Sequence, residues 1–370
     1  MSEYNRAYIE ISRANLLHNI EEICKRKDTK TEFIAVLKAN AYGHDSVLVA
    51  KILNEAGIKF FAVASLEEAL RLRQNNIKGE ILILGYTSPH DIDKVIQNGL
   101  TQSIVDLDYA RSLIPQLKDK KLKVHIQVDT GLHRLGLNYD DIPSLLKVYD
   151  INEFIFKGIY SHFSMADSAN DEAIKFTLIQ NRRFNGVLNS LRSKHINFGK
   201  AHLQGSYGFV NYPHLVYDYI RIGMLMYGNK ITLQSDIFKP LDLKPVLSLK
   251  SHIIHINEIK KGEHISYGSG YTSDSNMKIA TVSLGYKNGY PRSLNQKALV
   301  YINEKYAKVI GICMDQLIID VTNIDCKVDD VVELIGEHHY INATYVSSLC
   351  DSVACELLSR LSPNIKHLVV

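Results

Sequence analysis

The residues of this sequence that could do chemistry are polar side chains that follow short apolar segments of strand length. They are Lys38, Asp129, Arg134, His162, Ser206 and Arg221. Burial disfavours the charged form of a lysine, so a lysine that ends a buried strand has a lowered pKa and a neutral amine. A neutral amine attacks an aldehyde to form a Schiff base. The position of Lys38 therefore favours covalent chemistry with an aldehyde group. The alternative interpretation is that Lys38 ends a strand and only reaches solvent.

The elements that must position these side chains alternate between helix and strand over residues 13–232. Apolar residues at three- and four-residue spacing predict an amphipathic first helix: Leu16, Leu17, Ile20, Ile23 and Cys24. Ser65 and Glu68 have the spacing of a capping box. Strands are predicted at 33–37, 60–64, 81–86, 103–106, 124–129, 156–163, 201–203 and 218–224.

Eight strands separated by helices are typical of a (β/α)8 TIM-type barrel, an α/β fold whose active site lies at the C-terminal ends of the strands. A doubly wound open sheet is the rival architecture, but no GxGxxG sequence follows the first strand. We therefore expect the barrel, with the polar residues that follow its strands gathered at one end.

Beyond Gly228 the sequence changes to short β-rich segments separated by turns. They span 247–259, 264–268, 278–285, 298–302, 307–312, 316–321 and 331–336, and one helical segment is predicted at 343–361. Pro240 and Pro245 favour a linker. We expect a barrel domain at 1–235 and a mainly β domain at 236–370, with residues 1–12 as an alternative part of the β domain.

The composition excludes several classes of protein. The chain has 370 residues, of which 46% are hydrophobic and 22% charged, and its formal net charge is +3 without a basic run, which argues against a nucleic-acid partner. No apolar stretch reaches the roughly 18 residues of a membrane span, and the first residues lack an apolar signal core. Five scattered cysteines indicate neither a disulfide framework nor a metal site. We expect a cytoplasmic protein with no metal and no membrane partner.

Seven longer motifs occur in order along the chain. They are AVLKANAYGH (35–44), VDTGLHRLG (128–136), YSHFSMAD (160–167), IRIGMLMYG (220–228), ISYGSGYT (265–272), LGYKNGYPR (284–292) and ICMDQ (312–316). With these motifs the sequence resembles the alanine racemase family, whose members use pyridoxal 5'-phosphate. The resemblance runs along nearly the whole chain. It implies a barrel that carries the cofactor, a C-terminal β domain, and a head-to-tail homodimer in which the partner subunit completes each active site.

The resemblance also implies a mechanism with two bases. Lys38 would hold the cofactor and act as one base, and Tyr267 of the partner subunit would act as the base on the opposite face. Inversion at Cα requires a proton to leave on one side and another to arrive from the other side. Because the reference pKa of tyrosine is about 10, nearby positive charges should favour its phenolate. Without the resemblance, Tyr267 would be interpreted as one of 21 tyrosines that pack a β surface.

Further roles around the cofactor are implied at matching positions. Arg221 would donate a hydrogen bond to the pyridine nitrogen and leave it unprotonated, because arginine does not surrender its proton. His162 would orient Arg221, and Arg134 would contact the phenolic oxygen of the cofactor and the substrate carboxylate. Phosphate contacts are implied for Tyr42, Ser206 and the backbone of Gly205, Gly223 and Met224. Three further residues, Tyr286, Met314 and Asp315, resemble those with which the partner subunit lines the substrate side of the site and its entrance in the family.

Four positions depart from the family pattern. Gly205 and Gly311 replace a common asparagine and a common arginine. Gln127 stands where many members carry a carbamylated lysine, so Arg134 must be held by the Gln127 amide or by a bound anion. Cys355 stands where the family has a tyrosine that reaches the phosphate and crowds the substrate methyl. Cysteine removes most of that bulk and hydrogen bonding, so a larger or more polar substrate side chain should fit.

The resemblance leaves several functions open. An alanine racemase that supplies D-alanine for cell-wall peptides is the first expectation. A serine racemase, or an enzyme acting on both amino acids, is the alternative, since serine racemases associated with vancomycin resistance also carry a smaller polar residue at the position of Cys355, and an apolar pocket discriminates weakly against an added hydroxyl. Decarboxylation is disfavoured because Arg221 occupies the place of an acidic residue. A non-catalytic pyridoxal-phosphate carrier is disfavoured by the complete C-terminal domain.

Overall fold

The larger part of the chain forms a closed parallel barrel. The computed structural model describes residues 6–235, 238, 241–267 and 270–370. The first strand of the chain is β1 (Ala7–Ile11). The eight barrel strands found in the described residues are β2 (Glu32–Val36), β3 (Phe60–Val63), β4 (Glu80–Ile83), β5 (Thr101–Ile104), β6 (Leu122–Asp129), β8 (Phe154–Tyr160), β9 (Lys200–His202) and β10 (Tyr219–Ile222). The short β7 (Leu137–Asn138) pairs with β6. The order around the barrel is β5-β4-β3-β2-β10-β9-β8-β6, and pairing of β5 with β6 closes it. The predicted fold class is confirmed.

Side chains alternate along the barrel strands between the barrel interior and the outer layer that packs against the helices. Ile34, Val36, Ala62 and Leu82 form a small apolar cluster, whereas their strand neighbours, among them Phe61, belong to the large core shared with the helices. Successive strand residues point to opposite faces, so the small cluster lies inside the barrel. Buried polar side chains of other strands, among them His125, His202 and Arg221, are joined by hydrogen bonds.

Helices cover the outside of the barrel. Their bounds are α1 (Arg13–Arg26), α2 (Lys38–Tyr42), α3 (Ser46–Glu55), α4 (Leu66–Gln74), α5 (Ile92–Gln97), α6 (Leu107–Leu117), α7 (Ile142–Tyr149), α8 (Asp171–Ser193) and α9 (Ser206–Asn211), with 3-10 turns at Pro89–Asp91 and Met224–Tyr227. Of these, α2 is a left-handed turn after β2 and not a standard helix on the outside of the barrel. In α1 the Ser12 hydroxyl accepts a hydrogen bond from the Asn15 N–H, and Leu16, Ile20 and Ile23 are buried on one face, as the sequence predicts.

Helix α4 begins differently from the predicted capping box. The Ser65 hydroxyl accepts a hydrogen bond from the Glu68 N–H at 3.4 Å, as predicted. The Glu68 carboxylate, however, accepts from the N–H groups of Ala39 at 2.6 Å and Ala64 at 2.8 Å rather than from Ser65. The side chain therefore reaches across to the residue that follows Lys38 instead of closing on its own helix, because the start of α4 lies beside the segment that follows β2.

The C-terminal part is mainly β and takes up the first strand of the chain. Its strands are β11 (Leu247–Ile259), β12 (His264–Ile265), β13 (Tyr271–Thr272), β14 (Met277–Val282), β15 (Leu299–Ile302), β16 (Lys305–Ile312), β17 (Leu317–Asp320), β18 (Val331–Ile335) and β19 (Lys366–Val369). The large sheet has the order β14-β17-β16-β15-β18-β11-β1-β19. Strand β1 pairs antiparallel with β11 and parallel with β19, so the two ends of the chain meet in one sheet.

The C-terminal helices differ from the single segment predicted at 343–361. The structure has two short helices, α10 (Ala343–Ser348) and α11 (Ala354–Ser359), besides 3-10 turns at Tyr286–Asn288, Arg292–Leu294 and His339–Ile341. Asp351 has φ of 52°, a left-handed conformation that interrupts a helix. Pro245 directly precedes the segment leading into β11, whereas Pro240 lies outside the described residues. No helix of the described residues is both long and apolar enough to cross a bilayer.

Candidate active site

A cavity of about 540 Å³ lies at the C-terminal ends of the barrel strands. Ten of the predicted site residues line it: Lys38, Tyr42, Arg134, His162, Gly205, Ser206, Arg221, Gly223, Met224 and Cys355. They come from segments that are far apart in sequence but follow neighbouring barrel strands, together with helix α11 of the C-terminal part. The cavity therefore combines residues of both parts of the chain.

Four predicted site residues do not line this cavity. Tyr267 is 79% exposed and Met314 is 54% exposed, while Tyr286 and Asp315 also lie at the surface of the C-terminal part. Asp315 is paired with Lys287, and its carbonyl accepts a hydrogen bond from Arg6. A single chain thus does not bring these residues together with Lys38.

Lys38 stands at the start of an unusual backbone segment. The next four residues all have positive φ: Ala39, Asn40, Ala41 and Tyr42 lie between 52° and 56°. A left-handed conformation costs a non-glycine residue about 1–2 kcal/mol, so this turn must be held by its surroundings. Helix α11 is one such support, because a Cβ on Gly43 would lie 2.1 Å from the Leu358 carbonyl oxygen. We call residues 38–43 the lysine turn.

The environment of Lys38 favours a neutral amine. Burial lowers the pKa of Lys38 below the ordinary lysine value, and the positive charge of Arg134 adds to the effect. The negative charge of Glu68 acts on the pKa in the opposite direction, and Arg221 lowers it further. A buried amine with a lowered pKa is a better nucleophile and base at neutral pH than an ordinary lysine.

Arg221 is a buried cation held by neutral acceptors. Its guanidinium donates hydrogen bonds to His202 Nδ1 at 2.6 Å, His162 Nδ1 at 3.0 Å, and the carbonyl oxygens of Ser161 at 2.6 Å and Leu203 at 3.0 Å. No carboxylate of the described residues pairs with it. Burial lowers the pKa of Arg221 to about 10, so it keeps its charge at neutral pH. An uncompensated buried cation suits an electron-rich ligand in the cavity.

Two histidines that the sequence analysis did not single out extend this network. Because arginine can only donate, the Nδ1 atom of His202 is an acceptor, and its Nε2 therefore carries the proton that is donated to His125 Nδ1 at 2.8 Å. Burial keeps the pKa of both imidazoles below the ordinary value, so both are neutral. His202 ends strand β9 and could have been found by the strand-end rule; His125 lies inside β6, where no sequence signal marks it.

Tyr42, Ser206 and Gly223 meet at one end of the cavity. The Ser206 hydroxyl accepts a hydrogen bond from the Gly223 N–H at 3.1 Å. A Cβ on Gly223 would lie 2.6 Å from the Tyr42 hydroxyl oxygen, so only glycine leaves room for that hydroxyl. Burial raises the pKa of Tyr42 well above the ordinary value, which keeps its proton available for donation. These groups, with the start of helix α9, form a small polar cradle.

The structure shows no hydrogen bond between Gln127 and Arg134. The Gln127 amide oxygen accepts from the Tyr160 hydroxyl at 3.0 Å, and that hydroxyl also bonds Ser103 at 2.9 Å. Arg134 faces the cavity and makes no hydrogen bond or ion pair with any described residue. Of the two alternatives expected to hold Arg134, the Gln127 amide and a bound anion, the structure does not show the first, because the Gln127 amide makes no hydrogen bond to Arg134.

Asp129 is the last residue of β6, but its side chain bonds the following loop and does not line the cavity. Its carboxylate accepts hydrogen bonds from the N–H groups of Gly131 at 2.8 Å and His133 at 3.1 Å. Its role is to shape the turn that carries Arg134 to the cavity. The expectation that polar residues at strand ends line the active site therefore fails for Asp129, which stabilises the loop after its own strand.

Cys355 is the part of helix α11 that reaches the cavity. The side chain is half-buried and lines the cavity with Lys38 and Tyr42. Burial raises the pKa of the Cys355 thiol, so the group is uncharged at neutral pH. Tyr207 and Ile231 also line the cavity.

Comparisons with known proteins agree with this architecture. Residues 11–230 match the family described as "Alanine racemase, N-terminal domain", and residues 246–369 match "Alanine racemase, C-terminal domain". Among solved structures, an alanine racemase of Clostridium difficile 630 superposes with a TM-score of 0.94 at 30% identity, covering 100% of this chain and 97% of that one. A histidine racemase of Leuconostoc mesenteroides has a TM-score of 0.89 at 27% identity, covering 100% and 99%.

Curated relatives carry related names. An "Amino-acid racemase" of Enterococcus faecalis is 37% identical, and a "Serine/alanine racemase" of Enterococcus gallinarum is 36% identical; each match covers 98% of this chain, but 51% and 52% of those proteins. The chain thus spans about half the length of these relatives. An "Alanine racemase" of Clostridium novyi is 35% identical over 98% of this chain and 95% of its own length. By these matches, which extend over both parts of the fold, the chain belongs to the alanine racemase family.

Proposed function

We propose that this protein is a pyridoxal-phosphate-dependent racemase that interconverts L- and D-alanine. The observation that carries the proposal is the partly buried Lys38 amine, which faces the cavity with a lowered pKa beside two arginines. The names of the relatives, which include alanine and amino-acid racemases, support the same reaction class. A chiral assay of L-alanine, L-serine and larger L-amino acids, each run also from the D-enantiomer, tests the proposal; absence of inversion on every substrate would overturn it.

The residues of the cavity fit pyridoxal 5'-phosphate. Lys38 supplies the amine that its aldehyde requires, and Arg221 supplies a buried cation with Nε unused by any described residue. The polar cradle of Tyr42, Ser206 and Gly223 offers hydroxyl donors, and Met224 and Gly205 place further backbone at the same end. We propose that this cradle holds the phosphate, since barrels often bind phosphate after their last two strands. When bound, the cofactor supplies an electron sink that makes the α-hydrogen of an amino acid acidic.

The chain's own residues then divide the work. The amine of Lys38 takes a proton from Cα on one face of the substrate and becomes an ammonium group, and in the reverse direction that ammonium group returns the proton to the same face. Arg134, which has no partner among the described residues, is free to bind the substrate carboxylate. The charge of Arg221 stays fixed because its acceptors His162 and His202 are neutral, so the polarity at that end of the cavity does not change during turnover.

We propose that the second base is Tyr267 of a partner subunit in a homodimer. A site with one base would return the proton to the face from which it came. The exposure of Tyr267, Tyr286 and Met314 supports the proposal, because these residues are available to a second copy of the chain and do not reach the cavity of their own. Asp315 lies beside Met314 and would approach the partner's cavity with it.

Three broader expectations stay predictions. They are the supply of D-alanine for cell-wall peptides, the cytoplasmic location, and the domain boundary between residues 235 and 236. The boundary is supported by the family matches, which end at residue 230 and resume at 246, and the position of β1 in the C-terminal sheet supports assigning residues 1–12 to the β domain.

Serine is the second candidate substrate, and Cys355 favours it. The small thiol leaves open the side of the cavity that a tyrosine would fill, and a relative named serine/alanine racemase is 36% identical to this chain. A pocket without a group that contacts the substrate methyl discriminates weakly against an added hydroxyl. We propose that the enzyme acts on serine as well as alanine.

Cys355→Tyr is expected to raise the ratio of kcat/KM for alanine to kcat/KM for serine by about tenfold or more. A tyrosine ring that crowds the substrate side chain discriminates between side chains on that scale. The measurement is the chiral assay with both substrates. Cys355→Ala keeps the cavity wide, so its ratio should stay near that of the unsubstituted enzyme. An unchanged ratio in Cys355→Tyr would rule out Cys355 as the determinant of side-chain size.

A further inference from the structure

One acidic side chain connects the lysine turn to the neighbouring strand. The Glu68 carboxylate accepts a hydrogen bond from the Ala39 N–H at 2.6 Å through Oε1 and from the Ala64 N–H at 2.8 Å through Oε2. Ala39 directly follows Lys38, and Ala64 directly follows β3 and lines the cavity. A single carboxylate on helix α4 therefore joins the C-terminal ends of two adjacent barrel strands at the edge of the cavity.

The next turn of the same helix makes a second connection. Arg71 donates to the Asn40 side-chain oxygen at 2.9 Å and to the Asp45 carboxylate at 3.0 Å. The Asn40 oxygen also accepts from the Ser46 N–H at 3.0 Å, which ties the turn to the start of α3. Residues three apart lie on one face of a helix, so Glu68 and Arg71 hold the lysine turn from the same side.

The turn needs this support because its backbone is left-handed and its own hydrogen bonds are few. The Leu37 carbonyl accepts from the Ala41 N–H, and the Ala39 carbonyl accepts from the Gly43 N–H. These bonds leave the Ala39 N–H without a partner inside the turn, and among the described residues Glu68 is its acceptor. A charged acceptor forms a stronger bond to a backbone N–H than a neutral one does.

We propose that Glu68 is a positioning residue for Lys38: it holds the left-handed turn in the conformation that directs the amine into the cavity. The inference rests on the proposed function, since it assigns a task within that reaction. Glu68 does not serve as the second half of a capping box, because its two oxygens are used outside its own helix. The negative charge of Glu68 also raises the pKa of Lys38 and so partly offsets the effect of burial.

The test compares three variants of the full chain. Glu68→Ala removes both acceptors, Glu68→Gln keeps one acceptor oxygen without the charge, and Glu67→Gln is the matched control, because Glu67 is an exposed carboxylate in the same first turn whose side chain bonds Ser65. We expect Glu68→Ala to lower kcat about a hundredfold, on the scale of a displacement of a reacting group by 1 Å. Glu68→Gln should recover most of that loss, and Glu67→Gln should match the unsubstituted enzyme.

A second readout does not depend on catalysis. In the cofactor-free chain, the rate at which acetic anhydride labels Lys38 is followed against pH by mass spectrometry of the peptide that contains residue 38. Removal of the Glu68 charge should lower the pH midpoint of labelling in Glu68→Gln, and Glu68→Ala should in addition change the limiting rate, since the amine changes its surroundings. Glu67→Gln should leave the midpoint and the limiting rate unchanged.

The possible failures are distinguishable. If Glu68→Ala lowers Tm but leaves kcat and the labelling profile of Lys38 unchanged, Glu68 has only a structural role and the inference is overturned. If Glu68→Ala does not fold, the labelling profile and kcat of Glu68→Gln decide, and values equal to those of Glu67→Gln overturn the inference. If the unsubstituted chain racemises no amino acid, the proposed function fails, while the labelling of Lys38 still decides whether Glu68 positions the amine.

Discussion

Lys38→Ala is expected to abolish racemisation in both directions, with kcat lowered by more than about a thousandfold, since the substitution removes both the cofactor attachment and one base. The protein should also lose the yellow colour expected of the enzyme with its bound cofactor. In the unsubstituted chain, borohydride should fix the cofactor covalently to the peptide that contains residue 38. Chiral chromatography, visible absorption and peptide mass spectrometry are the three measurements.

Lys51→Ala is the matched control for this substitution, because Lys51 is an exposed lysine on helix α3 that does not line the cavity. It should keep colour and activity. A chain that stays colourless when supplied with pyridoxal 5'-phosphate, or a Lys38→Ala variant that racemises normally, would contradict the assignment of Lys38 and with it the proposed function.

Tyr267→Phe is expected to lower racemisation by about a hundredfold or more, on the scale of a lost general base, while the protein keeps its colour because Lys38 still holds the cofactor. The substitution removes the hydroxyl and retains the ring. In deuterated water, one enantiomer of alanine should still exchange its α-hydrogen without inversion, because Lys38 serves only one face. Tyr306→Phe, also a partly exposed tyrosine of the C-terminal part, is the control and should racemise normally.

Mixed dimers give the sharpest test of the shared site. A dimer with one Lys38→Ala chain and one Tyr267→Phe chain has one doubly impaired site and one intact site. Random assembly of equal amounts of the two inactive proteins should therefore restore about a quarter of the activity of the unsubstituted enzyme, if the sites lie across a two-fold dimer interface. Restoration of no activity after subunit exchange would show that both bases come from the same chain.

The pattern of the sequence was sufficient for the architecture. Each predicted barrel segment overlaps an observed strand, with ends that differ by a few residues. Short apolar runs separated by amphipathic helices can bury both faces of a parallel sheet only in a closed or covered arrangement. The differences are local. The helical segment at 343–361 is two helices because Asp351 adopts a left-handed conformation, which its residue type permits but does not require.

The candidate site was predictable where a polar residue lies at or shortly after the C-terminal end of a strand. Lys38, His162, Ser206 and Arg221 all line the cavity, and the geometry of a parallel barrel explains why, since its strand ends converge. Asp129 ends strand β6 too, yet its carboxylate bonds the loop that follows. The sequence could not separate these cases, because a short acidic side chain satisfies nearby backbone N–H groups whenever the turn permits.

What the sequence by itself determined is the fold class and the order of the elements, and it singled out Lys38 as the candidate for the reactive amine, since these depend on local periodicity and on motifs within short segments. Only the tertiary structure decided which groups surround that amine. Glu68 reaches Ala39 across 29 positions of the chain, His202 and His125 join Arg221, and Tyr267 lies outside the cavity of its own chain. Such contacts depend on how strands and helices pack in three dimensions, and spacing along the chain does not encode them.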